Sequence, residues 1–144
     1  MRLALIVEYE GANYHGFQYQ VNASSIQEEL ERAIVCFTGE TVRVKAAGRT
    51  DAGVHAKGQV VAFDTETRYS PDVVVGALNF YLPKEIAVKA AYGVSDTFDP
   101  RRDALSRKYR YTVLNSRVPS PLMRGVACFQ RKPLDTGKMK RAAR

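Results

Sequence analysis

Cysteine and histidine are scarce in this chain of 144 residues, two of each, and neither falls into a pattern. Cys36 and Cys128 stand far apart in no paired motif, so the simplest expectation is two buried free thiols in a reducing cytosol. With His15 and His55 they would make four zinc ligands, but the spacing matches no zinc signature and no metal is expected. Long apolar runs are missing too. None approaches the ~18–20 residues of a membrane span, and no membrane association is expected. The opening "MRLALIVEYEG" is interrupted by Glu8 and Glu10 and leads to no small-residue cleavage site, which argues against a secretory signal. Acidic residues are the minority, 15 against 22 Lys and Arg, for a net charge of +7. That surplus favours a polyanionic partner, of which nucleic acid is the commonest.

What is present reads as one α+β domain. Residues 2–9 are rich in β-branched and aromatic side chains and read as a buried strand. "EGANYHGFQYQVNASS" is a long polar and aromatic loop, a length that is usually functional or mobile. A helix opens at Ser24 or Ser25, with Gln27 and Glu28 placed for a capping box and Ile26, Leu30, Ala33, Ile34 and Phe37 forming an apolar face. "TVRVKAAG" alternates as a strand, and "QVVAFDT" is its hairpin partner across a glycine-rich loop. "SPDVVVGALNFYLP" reads as a helix capped by Ser70, opened by Pro71 and stopped by Pro83. Residues 86–95 and "ALSRKYRYTVLN" read as further strands. This is the ferredoxin-like, RRM-like split βαββαβ plan, an antiparallel sheet backed by helices. Its expected extent is 1–115. Residues 116–144 read as a connector and the start of a second half, with Asp135 capping a helix in "DTGKMKRAAR".

Two stretches carry chemistry. In "GRTDAGVHAKG" (48–58), Arg49, Thr50, Asp51 and His55 crowd one loop among glycines that permit close approach by a ligand. Lys57 precedes its glycine and a strand follows, so it is no Walker phosphate loop, and the dinucleotide fingerprint is absent. Asp51 reads either as a turn residue bonding a nearby amide or as a catalytic carboxylate kept ionised by Arg49. His55 reads as a structural hydrogen-bonder in the loop rather than as a catalyst. In "SRKYRYTV", strand alternation places Arg107, Tyr109, Tyr111 and Val113 on one face. Tyrosines flanked by cations suit base stacking, or else they are half-buried sheet residues. Arg101 and Arg102 lie just upstream in "FDPRR".

"AAGRTDAGVHAKGQVVAF" resembles the signature of the TruA family of tRNA pseudouridine synthases, and "EYEGANYHGFQYQ", "LNFYLPKEIAV", "FDPRRDALSRKYRYTV" and "PLDTGKMKRAA" extend the resemblance along the chain. The resemblance implies that Asp51 is the catalytic aspartate, that Arg49 pairs with it and helps extrude the base, and that Tyr109 stacks on the flipped uracil. Arg101 falls on a basic position of the RNA cleft, and Arg102, Arg107 and His55 complete the expected substrate-binding set. It further implies a cytoplasmic enzyme acting on the anticodon stem-loop of tRNA without metal or other cofactor, dimeric as the full-length protein. Family members continue into a second half-sheet. The chain is therefore expected to be the N-terminal half of such an enzyme, with weak or no activity alone. The competing expectation is a non-catalytic RNA-binding module of RRM-like fold, which would gain nothing from a carboxylate facing phosphates.

Overall fold

The computed structural model describes residues 1–143, which divide into two compact units, Met1–Leu105 and the segment from Ser106 onward. In the first unit the chain runs β1 (Arg2–Tyr9), α1 (Ile26–Thr38), β2 (Lys45–Ala46), β3 (Ala56–Asp64), α2 (Pro71–Tyr81) and β4 (Ile86–Val94). The strands form one sheet in the order β2-β3-β1-β4, every neighbour antiparallel. An α+β unit with a helix-backed antiparallel sheet is thus the observed class.

Alternation builds the core. Leu3, Leu5, Val7 and Tyr9 point to one side of the central strand and are almost fully buried, against Val61 and Phe63 of β3 and Ile86 and Val88 of β4. Ile26, Leu30, Ala33 and Ile34 of α1 and Val74 and Leu78 of α2 close over them. Each such side chain contributes about 1.5–3 kcal/mol relative to exposure. Ser25 caps α1 as expected, its hydroxyl accepting from the Glu28 N–H at 3.2 Å. Ser70 has the extended backbone of an N-cap, but its side chain makes no cap bond, and the start of α2 relies on Pro71.

Three expectations are corrected. The strand expected over 41–48 forms a ladder with β3 only at Lys45–Ala46, followed by the Ala47 N–H donating to the Val60 carbonyl at 2.8 Å. Val44 keeps its inward place, but its N–H donates to Glu31 Oε1 of α1 (3.0 Å), and Arg43 pairs with the same carboxylate, so this stretch is bonded to the helix and not to β3. The strand expected over 104–115 shortens to β5 (Val113–Asn115), which lies in the second unit and pairs in parallel with β6 (Cys128–Gln130). Residues 106–112 form no strand, and Tyr109 and Tyr111 are 78% and 85% exposed, not half-buried. A strand exists through its ladder, and alternating cations and tyrosines offer no apolar face to draw one in. Both cysteines are free but exposed, because Cys36 follows Ile34 by two residues and so turns to the outer face of α1. In the second unit Asp135 caps α3 (Thr136–Ala142), accepting from the Lys138 N–H at 2.9 Å.

Candidate active site

The glycine-rich stretch joins β2 to β3 as a hairpin loop with Asp51 exposed at its outer part. It is held at almost every residue around the aspartate. Gln59 Nε2 donates to the Gly48 carbonyl at 2.7 Å, and the Phe17 N–H donates to the Thr50 carbonyl at 3.0 Å. The Thr50 hydroxyl meets the Tyr9 phenol at 2.7 Å, the Gly53 N–H donates to the Tyr14 carbonyl, and His55 Nδ1 accepts the Gly11 N–H at 3.1 Å. Three of these bonds, those of Phe17, Tyr14 and Gly11, come from the long loop after β1, residues 10–17. It is a brace bonded along the Asp51 loop.

The brace works because two of its residues lack side chains. A Cβ on Gly11 would sit 2.0 Å from the Val54 carbonyl oxygen, and one on Gly16 would sit 2.7 Å from that of Thr50. Gly16 also has φ +95°, a conformation other residues rarely adopt. Both ladders of β1 shift register toward its Tyr9 end, between Ile6 and Val7 against β4 and between Val7 and Tyr9 against β3. Such irregularities re-aim the end of a strand, here at the point where Tyr9 reaches Thr50.

Tyr9 is buried beside Phe17, with ring centroids 6.3 Å apart. Burial raises its phenol pKa above the usual 10.0, with the Thr50 hydrogen bond acting the other way. The neutral phenol therefore supports the fold fully below about pH 10, and that support is lost as pH rises, since the unfolded chain ionises first. Tyr9→Phe should cost about 1 kcal/mol at pH 7 and make the alkaline decline shallower. The decline should not vanish, because burial raises the Tyr14 pKa in the same direction. Urea unfolding at pH 7 and pH 10.5 measures both effects; equal alkaline slopes for variant and parent would refute them.

Asp51 and Arg49 are both exposed, and neither enters a salt bridge among the described residues, with each other or elsewhere. Asp51 is the single carboxylate between Glu40 and Asp64. Arg101 and Arg102 lie in the same unit on a separate turn that Asp99 organises. The Asp99 Oδ1 atom accepts the N–H groups of Arg101 (2.9 Å) and Arg102 (3.1 Å), and Asp103 Oδ2 accepts the Asp99 N–H at 2.9 Å. Those backbone donors hold the Asp99 carboxyl below its usual range, with Lys45 of β2 a smaller influence in the same direction. Arg107 and Tyr109 belong to the second unit, both exposed.

Sequence reasoning missed Tyr9, Gly11, Gly16 and Gln59 as the supports of the loop, and Asp99 as the organiser of the arginine turn. Glycines in a long aromatic loop were the available signal.

Asp51 thus stands exposed on a braced loop with no side-chain partner among the described residues, and Arg101 and Arg102 stand on a second turn of the same unit. The family model for tRNA pseudouridine synthase matches residues 5–101. Proteins named tRNA pseudouridine synthase A are similar over almost all of this chain. That of Roseiflexus sp. (strain RS-1) is 46% identical over 137 residues, 95% of this chain and 51% of that protein. That of Pelobacter propionicus is 43% identical over 141 residues (98% and 58%), and that of Aliivibrio salmonicida 44% over 143 residues (99% and 54%). The chain belongs to the tRNA pseudouridine synthase family, and it spans about half the length of these curated relatives.

Proposed function

We propose that this chain carries the catalytic carboxylate of a tRNA pseudouridine synthase, which isomerises uridine to pseudouridine in the anticodon stem-loop, with Asp51 as that carboxylate. The observation that carries the reading is the Asp51 loop itself, braced through Thr50, Gly53 and His55 while the carboxylate stays exposed and unpaired among the described residues. In the reaction the N1–C1′ bond breaks, the uracil turns, and C5 bonds to C1′. The C5 proton passes to solvent and N1 takes one up, so no oxidant, reductant or nucleotide is consumed. A glycosidase commonly needs a second carboxylate to protonate a departing group. Here the uracil stays bound and is a tolerable anion, so one carboxylate is enough.

In this reading Arg49 pairs with Asp51 in the complex and helps extrude the base, while Tyr109 stacks on the uracil, offsetting an unstacking cost of a few kcal/mol. Arg101, Arg102, Arg107 and His55 contact the substrate. The first unit is a ferredoxin-like half of the synthase fold, supported by its element order and its strand order β2-β3-β1-β4. The division into a catalytic domain over 1–115 and a connector over 116–144, the cytoplasmic setting and the full-length dimer belong to the same proposal. Incubation of the complete protein with a tRNA transcript, followed by carbodiimide adduct mapping of the anticodon arm, tests the substrate and site. Adducts elsewhere, or none, would refute it.

Exposed Tyr109 and Tyr111 among cations favour a second reading, an RNA-binding module of RRM-like fold without chemistry. Asp51 separates the two, since binding alone does not require it.

Arg101 and Arg102 also give a quantitative expectation. Each phosphate contact contributes about −0.7 to −0.9 to the slope of log affinity against log salt. Charge reversal at both should weaken tRNA binding and flatten that slope by about 2. Filter binding between 50 and 200 mM salt would read it, and an unchanged slope would remove the Asp99 turn from the RNA-binding surface.

A further inference from the structure

Charge is divided unevenly between the two units. Residues 106–144 hold eleven of the 22 Lys and Arg and one of the 15 acidic residues, Asp135, which gives +10. Residues 1–105 hold the other eleven cations against fourteen carboxylates, which gives −3. In the first unit Arg2, Arg32, Arg43 and Lys89 are each matched to a carboxylate of Asp64, Glu29, Glu31 and Glu8. In the second, Lys138 meets Asp135 at 3.9 Å. The first unit also holds cations outside these pairs, but its fourteen carboxylates outnumber its cations; in the second, Lys108, Arg110, Arg117, Arg124, Arg131 and Lys132 are exposed and enter no ion pair among the described residues, with Asp135 the one carboxylate of 106–144.

A surplus of this size in so short a stretch repels itself and favours whatever neutralises it. Three anionic surfaces could do so. A membrane surface calls for an amphipathic helix with a broad apolar face, and α3 is seven residues long with Met139 its one large apolar side chain. An acidic protein partner would leave the exposed aromatics unexplained. RNA fits both features, because exposed Tyr109 lies between Lys108 and Arg110 and exposed Tyr111 follows Arg110, as in surfaces that track a nucleic-acid backbone.

We infer that the unit from Ser106 onward is the principal phosphate-binding surface of this chain, neutralising RNA backbone through Arg117, Arg124, Arg131 and their neighbours. The inference rests on the tRNA reading above for the identity of the RNA. It goes further by assigning most of the affinity to residues outside both the Asp51 loop and the "FDPRR" turn.

The test compares triple variants of the full 144-residue chain. Arg117→Gln, Arg124→Gln and Arg131→Gln together should reduce the salt slope of tRNA binding by about 2–3 and weaken binding at 0.15 M salt by about 100-fold. Arg→Lys at the same positions, which keeps the charge, should leave the slope unchanged. A control triple in the first unit, Arg68→Gln, Lys84→Gln and Lys89→Gln, should change it by less than one. Equal slopes for the two neutralising triples would overturn the inference. So would an effect confined to phosphatidylglycerol vesicles and absent on tRNA. Isomerisation by the complete protein with an unchanged slope would sink the inference alone, whereas a reduced slope without isomerisation would leave it standing and sink the enzymatic reading.

Discussion

Asp51→Asn in the complete enzyme is expected to lower isomerisation by on the order of 10⁴-fold or more while leaving tRNA affinity within about threefold. The amide has nearly the size of the carboxylate, and the side chain makes no hydrogen bond or ion pair among the described residues, so stability should not change. The loop is held by its backbone and by Thr50 and His55, none of which the substitution touches. What disappears is the negative charge and nucleophilicity at one point. A loss confined to kcat identifies an interaction made only as the reaction proceeds. Tight binding that falls along with turnover would instead mean that Asp51 organises the RNA surface, which a carboxylate facing phosphates is poorly suited to do.

Gly11→Ala should have the largest effect on the fold itself. The new Cβ would lie 2.0 Å from the Val54 carbonyl oxygen, an atom of the backbone that cannot rotate away. One of the two loops must therefore move by more than an ångström, and the Gly11 N–H bond to His55 goes with it. Overpacking of this kind costs about 2–4 kcal/mol, a large share of the 5–15 kcal/mol that holds a domain together. Turnover should suffer further, because moving a catalytic group by about 1 Å can cost ~100-fold. Gly76→Ala makes the contrast. It lies exposed on α2 with nothing within 4 Å of a Cβ, and should stabilise by up to about 1 kcal/mol. Urea midpoints at constant m-value measure both. A Gly11→Ala protein as stable as its parent would mean that the two loops are not braced together.

The reach of sequence reasoning differs sharply between elements. α1 was readable because cap and periodicity are both local, and Ser25, Ile26, Leu30 and Ile34 fall where the spacing puts them. The stretch before Lys45 was half readable. Alternation correctly turns Val44 inward, but the competition between β3 and Glu31 for its N–H is a tertiary matter. Segment 106–112 has strand-like composition, yet composition supplies no ladder partner, and the tyrosines end up exposed. Cys36 was misplaced by a general tendency of thiols to be buried, which the 100° step of a helix overrode. At the site, polar crowding singled out the Asp51 loop. Its supports were hidden because Tyr9 and Thr50 are 41 positions apart in the chain, and Gly11 and His55 are 44. The register of β1 shifts near the Tyr9 end where these contacts begin, and no local pattern reveals either.

The most direct measurement is tritium release from tRNA transcribed with uridine labelled at C5, because forming the C5–C1′ bond expels the hydrogen at that carbon. The complete protein should release close to one tritium per anticodon-arm uridine converted, and the Asp51→Asn protein should bind the same tRNA and release none above background. Release by the Asp51→Asn protein at the parent rate would contradict the account at its centre.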